Sequence, residues 1–396
     1  MRTMIRITLT LLLCTILCFC VGSAASAETI DSGTWGDNIS WSINGGLLYI
    51  SGEGAMTDFT YGQNKAWLNY RSNIVSAVIG EGVTSIGRYA FSGCTKMRNV
   101  TIPESIRSIG LEAFYNCRSL ENVTIPEGVE NIGANAFMYC HGLTNVTIPA
   151  SVKNIYGRPF AGCSNLTEIK VSSDNLAFCD EDGILYSKDM RDFYQFPAGK
   201  GGDFAIPESV QRIANGAFFE CPNLTSVIIP MGVKTIGDYT FFACDNLNSV
   251  TIPKSIERIN AHAFENCQNL KDVYYSGIIE EWRNTTIGAY NNDLLNATLH
   301  CVEPDLILPK ELTTIEEETF AGGAFVYVKL PETCVKIGMN AFAGCPKLQY
   351  ISISKANAEI DANAFENITN LTILGKAGST AETYAKTHNF TFIAVD

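Results

Sequence analysis

The sequence predicts a mostly β solenoid, in which short coils stack along one axis and share an apolar interior. A cysteine recurs every 23 residues from Cys94 to Cys163 and again from Cys221 to Cys267, and a phenylalanine stands three residues before each of them. Most periods also contain an apolar–polar–apolar run that is followed directly by proline. A fixed period of about 20–50 residues indicates coils that cannot bury their own apolar side alone.

Each position of the repeat has a physical role, which one unit illustrates. In Val123-Thr-Ile125 apolar and polar residues alternate, as they do in a strand with one face in the core. Pro126 ends that strand because proline has no N–H group to donate to a neighbouring strand. Ile132 belongs to a second, shorter extended segment. Phe137 begins a helical or 3₁₀ turn and fills the coil, and Cys140 is small and apolar enough to be buried. We expect coils about 4.8 Å apart, one long parallel sheet and one continuous core.

The pattern L-x-x-V-x-I-P-x-x-V-x-x-I-G-x-x-A-F-x-x-C closely resembles the BspA-like, or treponemal-type, leucine-rich repeats over roughly residues 74–370. The resemblance implies a right-handed leucine-rich-repeat solenoid with a parallel β-sheet and short helical or 3₁₀ turns. The segment Gly33–Met56 looks like the N-terminal cap of that family, and Thr380–Ala385 with Phe390–Phe392 looks like its closing segment. Caps are required because a bare end coil would expose core and strand edges.

Two stretches depart from the period and predict enlarged coils. Phe160 and Phe218 are 58 residues apart, and Phe264 and Phe320 are 56 apart. The first stretch is interpreted as a coil enlarged by a β-hairpin, and the second as an irregular coil. The expected organisation is a signal peptide at 1–27, an N-terminal cap at 28–73, repeats at 74–165, the hairpin coil at 166–203, repeats at 204–270, the irregular coil at 271–305, repeats at 306–370 and a C-terminal cap at 371–396.

The first residues indicate export. Arg2 and Arg6 precede an almost wholly apolar run, Ile7–Val21, and Ala25-Ser-Ala27 offers small residues to a signal peptidase. We expect cleavage before Glu28, and a secreted or cell-surface protein. A membrane anchor is the alternative, but the run is shorter than the about 20 residues that span a bilayer.

The charge of the chain argues against two classes of partner. Removing residues 1–27 takes away two cations, so 28 Lys+Arg and 41 Asp+Glu become 26 and 41, a net charge of −15. Duplex binding depends on Lys and Arg replacing condensed counterions, so nucleic acid is a poor partner. Anionic membrane surfaces are poor for the same reason.

The cysteines allow two interpretations. Outside the cell they would normally form disulfides, but residues one period apart point the same way, and stacked side chains do not meet disulfide geometry without changing rotamer. A ladder of buried free thiols is therefore favoured. A zinc site is disfavoured because a column of parallel thiols does not converge. Three cysteines lie off the ladder, and their pairing is left open: Cys179, Cys301 and Cys334.

No pattern of catalytic residues stands out. The four histidines form no metal or triad motif, and no nucleophile-elbow, zincin or phosphate-loop motif is present. Carboxylates cluster at Asp180–Asp182, Glu280–Glu281 and Glu316–Glu318, but a glycosidase needs two carboxyls facing each other across a cleft. We expect no enzyme, no cofactor and no metal. A glycan hydrolase using the enlarged coils is the weakest of three functional interpretations.

The outward positions of the predicted sheet are the candidate binding residues. Asparagine and threonine form an uncharged polar row early in the chain, whereas tyrosines appear later, and exposed tyrosines supply contact area at low entropic cost. The resemblance implies an adhesive, non-catalytic monomer that binds an extracellular protein or glycan. A structural part of the cell envelope is the alternative. The candidate residues are Asn122, Thr124, Asn145, Thr147, Tyr274, Tyr327 and Tyr350.

Overall fold

The protein is a stack of three-sided coils in a computed structural model that describes residues 29–395. Each regular coil has a longer strand, a shorter strand and a turn that carries the repeat phenylalanine. We call these sides the long-strand ladder, the short-strand ladder and the phenylalanine turn. The expected signal peptide, 1–27, lies outside the described residues.

Strands of the long-strand ladder pair in parallel one coil apart, as in the register Asn145↔Glu168. One face of each strand is buried and the other points outward, as the alternation predicts. In chain order the ladder contains Leu47–Gly52, Ser76–Ile79, Asn99–Thr101, Asn145–Ile148, Glu168–Val171, Gly202–Ala205, Leu224–Ile228, Ser249–Ile252, Asp272–Tyr275, Thr298–His300, Leu306–Ile307, Tyr327–Lys329, Tyr350–Ile353, Thr372–Gly375 and Thr391–Ala394.

In each coil the strand of the short-strand ladder follows the turn after the proline. The inward residue that recurs in this strand is mostly isoleucine. Its strands are mostly two residues long, since the turn after each isoleucine begins at once. They are Gly54–Ala55, Val83–Ile86, Ser108–Ile109, Asn131–Ile132, Asn154–Ile155, Arg212–Ile213, Thr235–Ile236, Arg258–Ile259, Thr286–Ile287, Thr314–Ile315, Lys336–Ile337 and Glu359–Ile360.

The phenylalanine turns stack ring on ring through the interior. The ring centroids of Phe91 and Phe114 lie 4.9 Å apart, and those of Phe114 and Phe137 lie 5.0 Å apart, with nearly parallel planes. Main-chain hydrogen bonds also join successive turns. The N–H of Phe114 donates to the carbonyl of Ala136 in the next coil (2.7 Å), and the N–H of Phe137 donates to that of Pro159 (2.8 Å). These turns are hydrogen-bonded turns rather than regular helices.

The residue two positions after the phenylalanine adopts a left-handed backbone in most coils. Its φ is 78° at Gly93, 60° at Asn116 and 62° at Asn266. Glycine and asparagine tolerate this region best, which explains why they recur at the position. Three coils have another residue type in this left-handed conformation: Tyr139 (φ 63°), Glu220 (51°) and Ala243 (53°).

The expectation of one continuous sheet and core is wrong. The buried apolar residues form three main cores, from Ile39 to Leu185, from Ile184 to Leu294 and from Ile315 to Ala385. The long-strand ladder breaks near the same places, and once more at Asn122, which makes only an isolated bridge to Asn99. The phenylalanine stack ends at each enlarged coil because the inserted residues take the place of a regular coil.

The first enlarged coil contains the expected hairpin. Strands Phe178–Glu181 and Ile184–Ser187 pair antiparallel, and Asp192–Gln195 pairs with the second of them. The hairpin turn has positive φ at Asp182 and Gly183, which is the backbone that a two-residue type I′ turn requires.

A buried asparagine anchors this hairpin to the coil before it. Asn175 is fully buried, and its amide nitrogen donates to the carbonyls of Pro149 (2.8 Å) and Val152 (3.0 Å). Its amide oxygen accepts from the N–H groups of Ala177 and Phe178, both at 2.8 Å. All four hydrogen-bonding positions of the side chain are therefore used.

The second enlarged coil carries two short helices, α1 (Ile279–Asn284) and α2 (Asn292–Asn296). It too is anchored by an asparagine, since Asn291 is buried, accepts from the N–H of Phe264 (2.9 Å) and donates to the carbonyl of Asn260 (2.8 Å). The same device thus joins both inserted segments to the regular stack.

Caps close the two ends of the described chain. At the N-terminus, Thr29–Trp35 and Ile39–Asn44 add antiparallel strands, and the 3₁₀ helix Ala66–Tyr70 places the buried Trp67 ring beneath Phe91. At the C-terminus, helix α3 (Thr380–Thr387) lays Tyr384 against Phe365, with centroids 5.7 Å apart.

The eleven described cysteines are all free. The eight on the ladder are buried, and six of their thiols donate to the phenylalanine carbonyl of the preceding coil, for example from Cys117 to Phe91 (3.2 Å) and from Cys267 to Phe241 (2.9 Å). Of the three cysteines off the ladder, Cys179 and Cys301 are partly buried and Cys334 is buried.

Replacing one ring of the stack is expected to destabilise the whole first core. Phe137 is fully buried between two other rings, so Phe137→Ala should lower the free energy of unfolding by about 3–5 kcal/mol in urea titration. The control is Leu176→Ala at a residue that is 90% exposed, which should change it by less than about 0.5 kcal/mol. Equal effects would contradict the stack.

Thiol reactivity is expected to follow burial. Burial raises the pKa of Cys94 to about 12 and that of Cys301 to about 11, and the thiolate is the reactive form. With iodoacetamide at pH 8, Cys179 and Cys301 should be labelled first, and the ladder cysteines only after unfolding, as measured by peptide mass spectrometry. If instead the mass of the unreduced protein were lower by two hydrogens for any pair of cysteines, that pair would form a disulfide.

Candidate functional site

The early polar row lines one groove on the outward face of the long-strand ladder. Asn122, Thr124, Asn145 and Thr147 are all exposed, and they border a groove of about 650 Å³. The structure therefore brings together four of the seven predicted residues. The other residues along the groove are Glu104, Val123, Ile125, Pro126, Glu127, Pro149, Ser172 and Ser173.

The long-strand ladder is interrupted beside the groove. Within the described chain, the N–H groups of Val123, Thr124 and Ile125 donate to no backbone oxygen, whereas the coils on the short-strand side remain paired. Main-chain groups in folded proteins are almost always hydrogen-bonded to protein, water or ligand. The interruption thus lies at the same coil as Asn122 and Thr124 of the polar row.

The charged residues that line the groove are all acidic. Glu104 and Glu127 line it, and no lysine or arginine is among its lining residues. Asparagine and threonine supply neutral donors and acceptors. The groove is therefore suited to a polar ligand that is neutral or positively charged.

Tyr274 belongs to a separate patch on the same face. Its side chain is 45% exposed, and its ring stacks on that of His300, with centroids 4.6 Å apart. The His300 Nε2 lies 2.8 Å from an oxygen of Asp272. Ile228, two coils earlier at the equivalent position, is also exposed. The patch combines an aromatic face, an apolar side chain and an imidazole–carboxylate pair.

The expectation that Tyr327 and Tyr350 are exposed is wrong. They are only 6% and 0% exposed, because the second enlarged coil covers the outward face of the last coils. With Ile278 and Leu374 they form a small separate apolar cluster. Burial, reinforced by the charge of Glu280, raises the pKa of Tyr327 to about 12.

A polar network holds this contact together across distant parts of the chain. The Tyr350 hydroxyl donates to Glu281 of α1 (2.9 Å), and the same carboxylate oxygen accepts from the N–H of Ile278 (3.1 Å). The Lys254 ammonium donates to the Tyr350 hydroxyl (3.1 Å) and lies 5.0 Å from the centre of its ring. Burial first, and then the charge of Glu281, raise the pKa of Tyr350.

A second groove, of about 890 Å³, lies beside this contact. The carboxylates of Glu280 and Glu303 both line it, together with three lysines of the last coils: Lys310, Lys329 and Lys376. Sequence analysis did not find this groove, because it forms between segments that do not follow the period. The carboxylates of the first enlarged coil do not join it, since Asp182 pairs with Lys200 (2.8 Å) and Asp180 accepts from the N–H of Val171.

Two further searches of the described residues concern metals and membranes. No group of three or more His, Cys, Asp or Glu side chains between residues 29 and 395 is arranged to hold a metal ion. Among the helices that the structure describes, none has the length and apolar character needed to cross a membrane.

Parallel three-sided coils with stacked inward leucine, isoleucine and phenylalanine residues define a leucine-rich-repeat solenoid. The family model described as "BspA type Leucine rich repeat region (6 copies)" matches residues 63–182, 193–301 and 296–386. The chain therefore belongs to the BspA-type leucine-rich-repeat family. Members of this family are generally non-catalytic.

The chain is similar to several solved structures, and the first of those given below agrees with it in fold. A leucine-rich repeat protein from Eubacterium ventriosum is 26% identical, with a TM-score of 0.56, and the match covers 79% of this chain and 95% of that one. The pneumococcal vaccine antigen PcpA is 16% identical over 93% of this chain and 99% of its own, with a TM-score of 0.49.

A leucine rich cell surface protein from Faecalibacterium prausnitzii is 23% identical, over 65% of this chain and 98% of its own, with a TM-score of 0.32. A search of curated proteins returns no match.

Removing one hydroxyl should loosen the contact between the second enlarged coil and the last coils. Tyr350→Phe deletes the hydrogen bonds to Glu281 and Lys254, and the loss of buried bonds to charged groups costs about 1–3 kcal/mol. Hydrogen exchange should accelerate at residues 276–304. Tyr156→Phe, at an exposed tyrosine, is the control, and equal exchange in both variants would show that the network does not hold the contact.

Proposed function

We propose that this protein works outside the producing cell as a non-catalytic scaffold that binds an extracellular protein or glycan. Its partner docks on the outward face of the long-strand ladder. Support comes from the family, in which a binding or scaffold role is general, and from the signal-like start of the sequence. It also comes from the polar groove and from the patch around Tyr274.

The polar groove is the observation that carries the proposal. Four exposed asparagine and threonine side chains line one groove where the long-strand ladder is interrupted. Such a surface recognises a ligand by hydrogen bonding, as hydroxyl groups of a glycan or the main chain of an extended peptide would provide. The lining carboxylates Glu104 and Glu127 favour a neutral or basic ligand.

The aromatic patch around Tyr274 gives the partner a second contact on the same face. Tyrosine supplies a large, rigid contact surface and a polar hydroxyl, and the neighbouring Ile228 adds exposed apolar area. Tyr327 and Tyr350 take no part in this site, because they are buried in a contact within the chain.

A structural role in the producer's own cell envelope is the alternative. Cell fractionation separates the two functions, since release into the medium supports recognition of a foreign partner, whereas tight retention by the producer's wall supports the structural role.

Enzymatic activity is the weaker alternative. Its one support is that Glu280 and Glu303 line a common groove, as the two carboxyls of a glycosidase must. Hydrolysis of a glycan that is abolished by Glu280→Gln or Glu303→Gln would establish it.

The binding proposal predicts a loss of affinity on blocking the groove. Thr124→Arg combined with Thr147→Arg should weaken binding at least about tenfold, because two long cationic side chains fill the groove. The probes are a glycan array, immobilised extracellular-matrix proteins and the producer's isolated envelope. The control is Thr235→Arg on an exposed site of the short-strand ladder.

A companion pair of variants tests the aromatic patch. Tyr274→Ala should weaken the same binding, whereas Tyr156→Ala, at an exposed tyrosine away from the outward face, should not. Binding that survives both the groove variant and Tyr274→Ala would place the site elsewhere. No binding to any of the three probes would contradict the proposed function.

A further inference from the structure

A polar cleft of about 820 Å³ lies between the second and the third core. Turns of the second core form one wall, at Met231, Lys234, Lys254 and Ser255. The other wall comes from the turns that precede the long strands of the last coils: 345–349, 367–372, 389 and 391. The Lys254 ammonium joins the two walls by donating to the side chain of Gln349, which is 95 positions away in the sequence. The cleft is therefore formed by segments that the repeat does not relate.

The charge of the cleft is opposite to that of the whole protein. Three lysines line it, Lys234, Lys254 and Lys347, against the single carboxylate of Glu281, whereas the chain carries 41 acidic and 28 basic side chains. Lys234 also pairs with Glu257 (3.3 Å), but their side chains are 63% and 74% exposed, and such pairs hold a side chain weakly. The cleft is thus a locally basic site on an acidic protein.

Lys254 is a half-buried cation whose direct neighbours are neutral. Its ammonium donates to Gln349 Oε1 (3.2 Å) and to the Tyr350 hydroxyl (3.1 Å). Among the described residues, its link to a carboxylate, that of Glu281, passes through this hydroxyl. An ammonium has three N–H donors, so one remains after these two bonds. Because removing a charge from water is costly unless it is paired, this site is suited to an anionic ligand.

The walls around the lysines present amide and hydroxyl groups. Asn370 and Asn389 each stand two residues before Thr372 and Thr391, which pair in register, so the same amide recurs on successive coils. A ligand built of repeating polar units meets like groups at each coil. The exposed neutral side chains of the cleft are Gln349, Asn367, Thr369, Asn370, Asn389 and Thr391.

We infer that this cleft binds an acidic glycan, a chain of sugar units that carry carboxylate or sulfate groups. The lysines pair with the acidic groups, and the amides and hydroxyls of the walls bond to the sugar hydroxyls. An acidic peptide is disfavoured because it lacks these hydroxyls. The inference does not rest on the proposed function, since the groove at Asn122–Thr147 belongs to the first core and favours ligands of the opposite charge.

The experiment is isothermal titration calorimetry on residues 28–396 with three oligosaccharides of equal length. An oligogalacturonate supplies carboxylates, a heparin fragment supplies mainly sulfates, and an oligogalactose is neutral. We expect an acidic probe to bind and the neutral probe not to bind. The dissociation constant should rise between about 50 and about 500 mM NaCl, because salt screens exposed charges. The acidic probe that binds more tightly identifies the acidic group.

Reversing one charge tests the position of the site. Lys347→Glu should raise the dissociation constant at least about tenfold, because it sets a like charge against the ligand. Lys96→Glu is the matched control, since Lys96 is also exposed and follows Cys94 by two residues, as Lys347 follows Cys345. It should change the constant less than about twofold. Both lysines are exposed, so both variants should keep the thermal unfolding midpoint of the parent chain.

An isosteric change gives a second readout on the opposite side of the charge balance. Asn370→Asp places a carboxylate on the wall with almost no change of shape and should weaken binding at least about threefold, whereas Asn165→Asp, at an exposed asparagine of the first core, should not. The inference is overturned if neither acidic probe binds, if the neutral probe binds as tightly, or if poly-glutamate binds more tightly than both. Affinities that Lys347→Glu and Asn370→Asp leave unaltered would also overturn it.

Discussion

The structure depends on the stacking of like residues one period apart. No coil has an interior of its own, so each is stable only between neighbours that present the same side chains at the same places. Phenylalanine rings about 4.9 Å apart, thiols bonded to the preceding carbonyl and strands paired in register all express this one constraint. An insertion therefore cannot be absorbed within one coil, and the core is divided at both enlarged coils.

The inserted segments remain attached because buried amides replace the regular ladder. Asn175 and Asn291 each bond to main-chain groups of the coil before them. The second insertion has a further consequence. Its helix α1 brings Glu281 to Tyr350 and covers the outward face of the last coils. On the outward face, the surface open to a partner is therefore confined to the first and second cores.

This division gives the parts of one solenoid different properties. The first core presents a polar, partly acidic groove with an open ladder, and the second presents an aromatic patch at Tyr274. The third core is engaged within the chain on its outward face.

The sequence by itself determined the family, the coil and its inward residues, the free thiols of the ladder and the position of the hairpin. All of these follow from the period, because the contacts that it encodes join neighbouring coils. Tertiary structure alone decided that Tyr327 and Tyr350 are buried and that the ladder opens at Asn122. Lys254 and Tyr350 are 96 residues apart and meet outside the period, so no repeating pattern records their contact. The outward alternation of a strand shows which way a side chain points, but not what a distant segment lays over it.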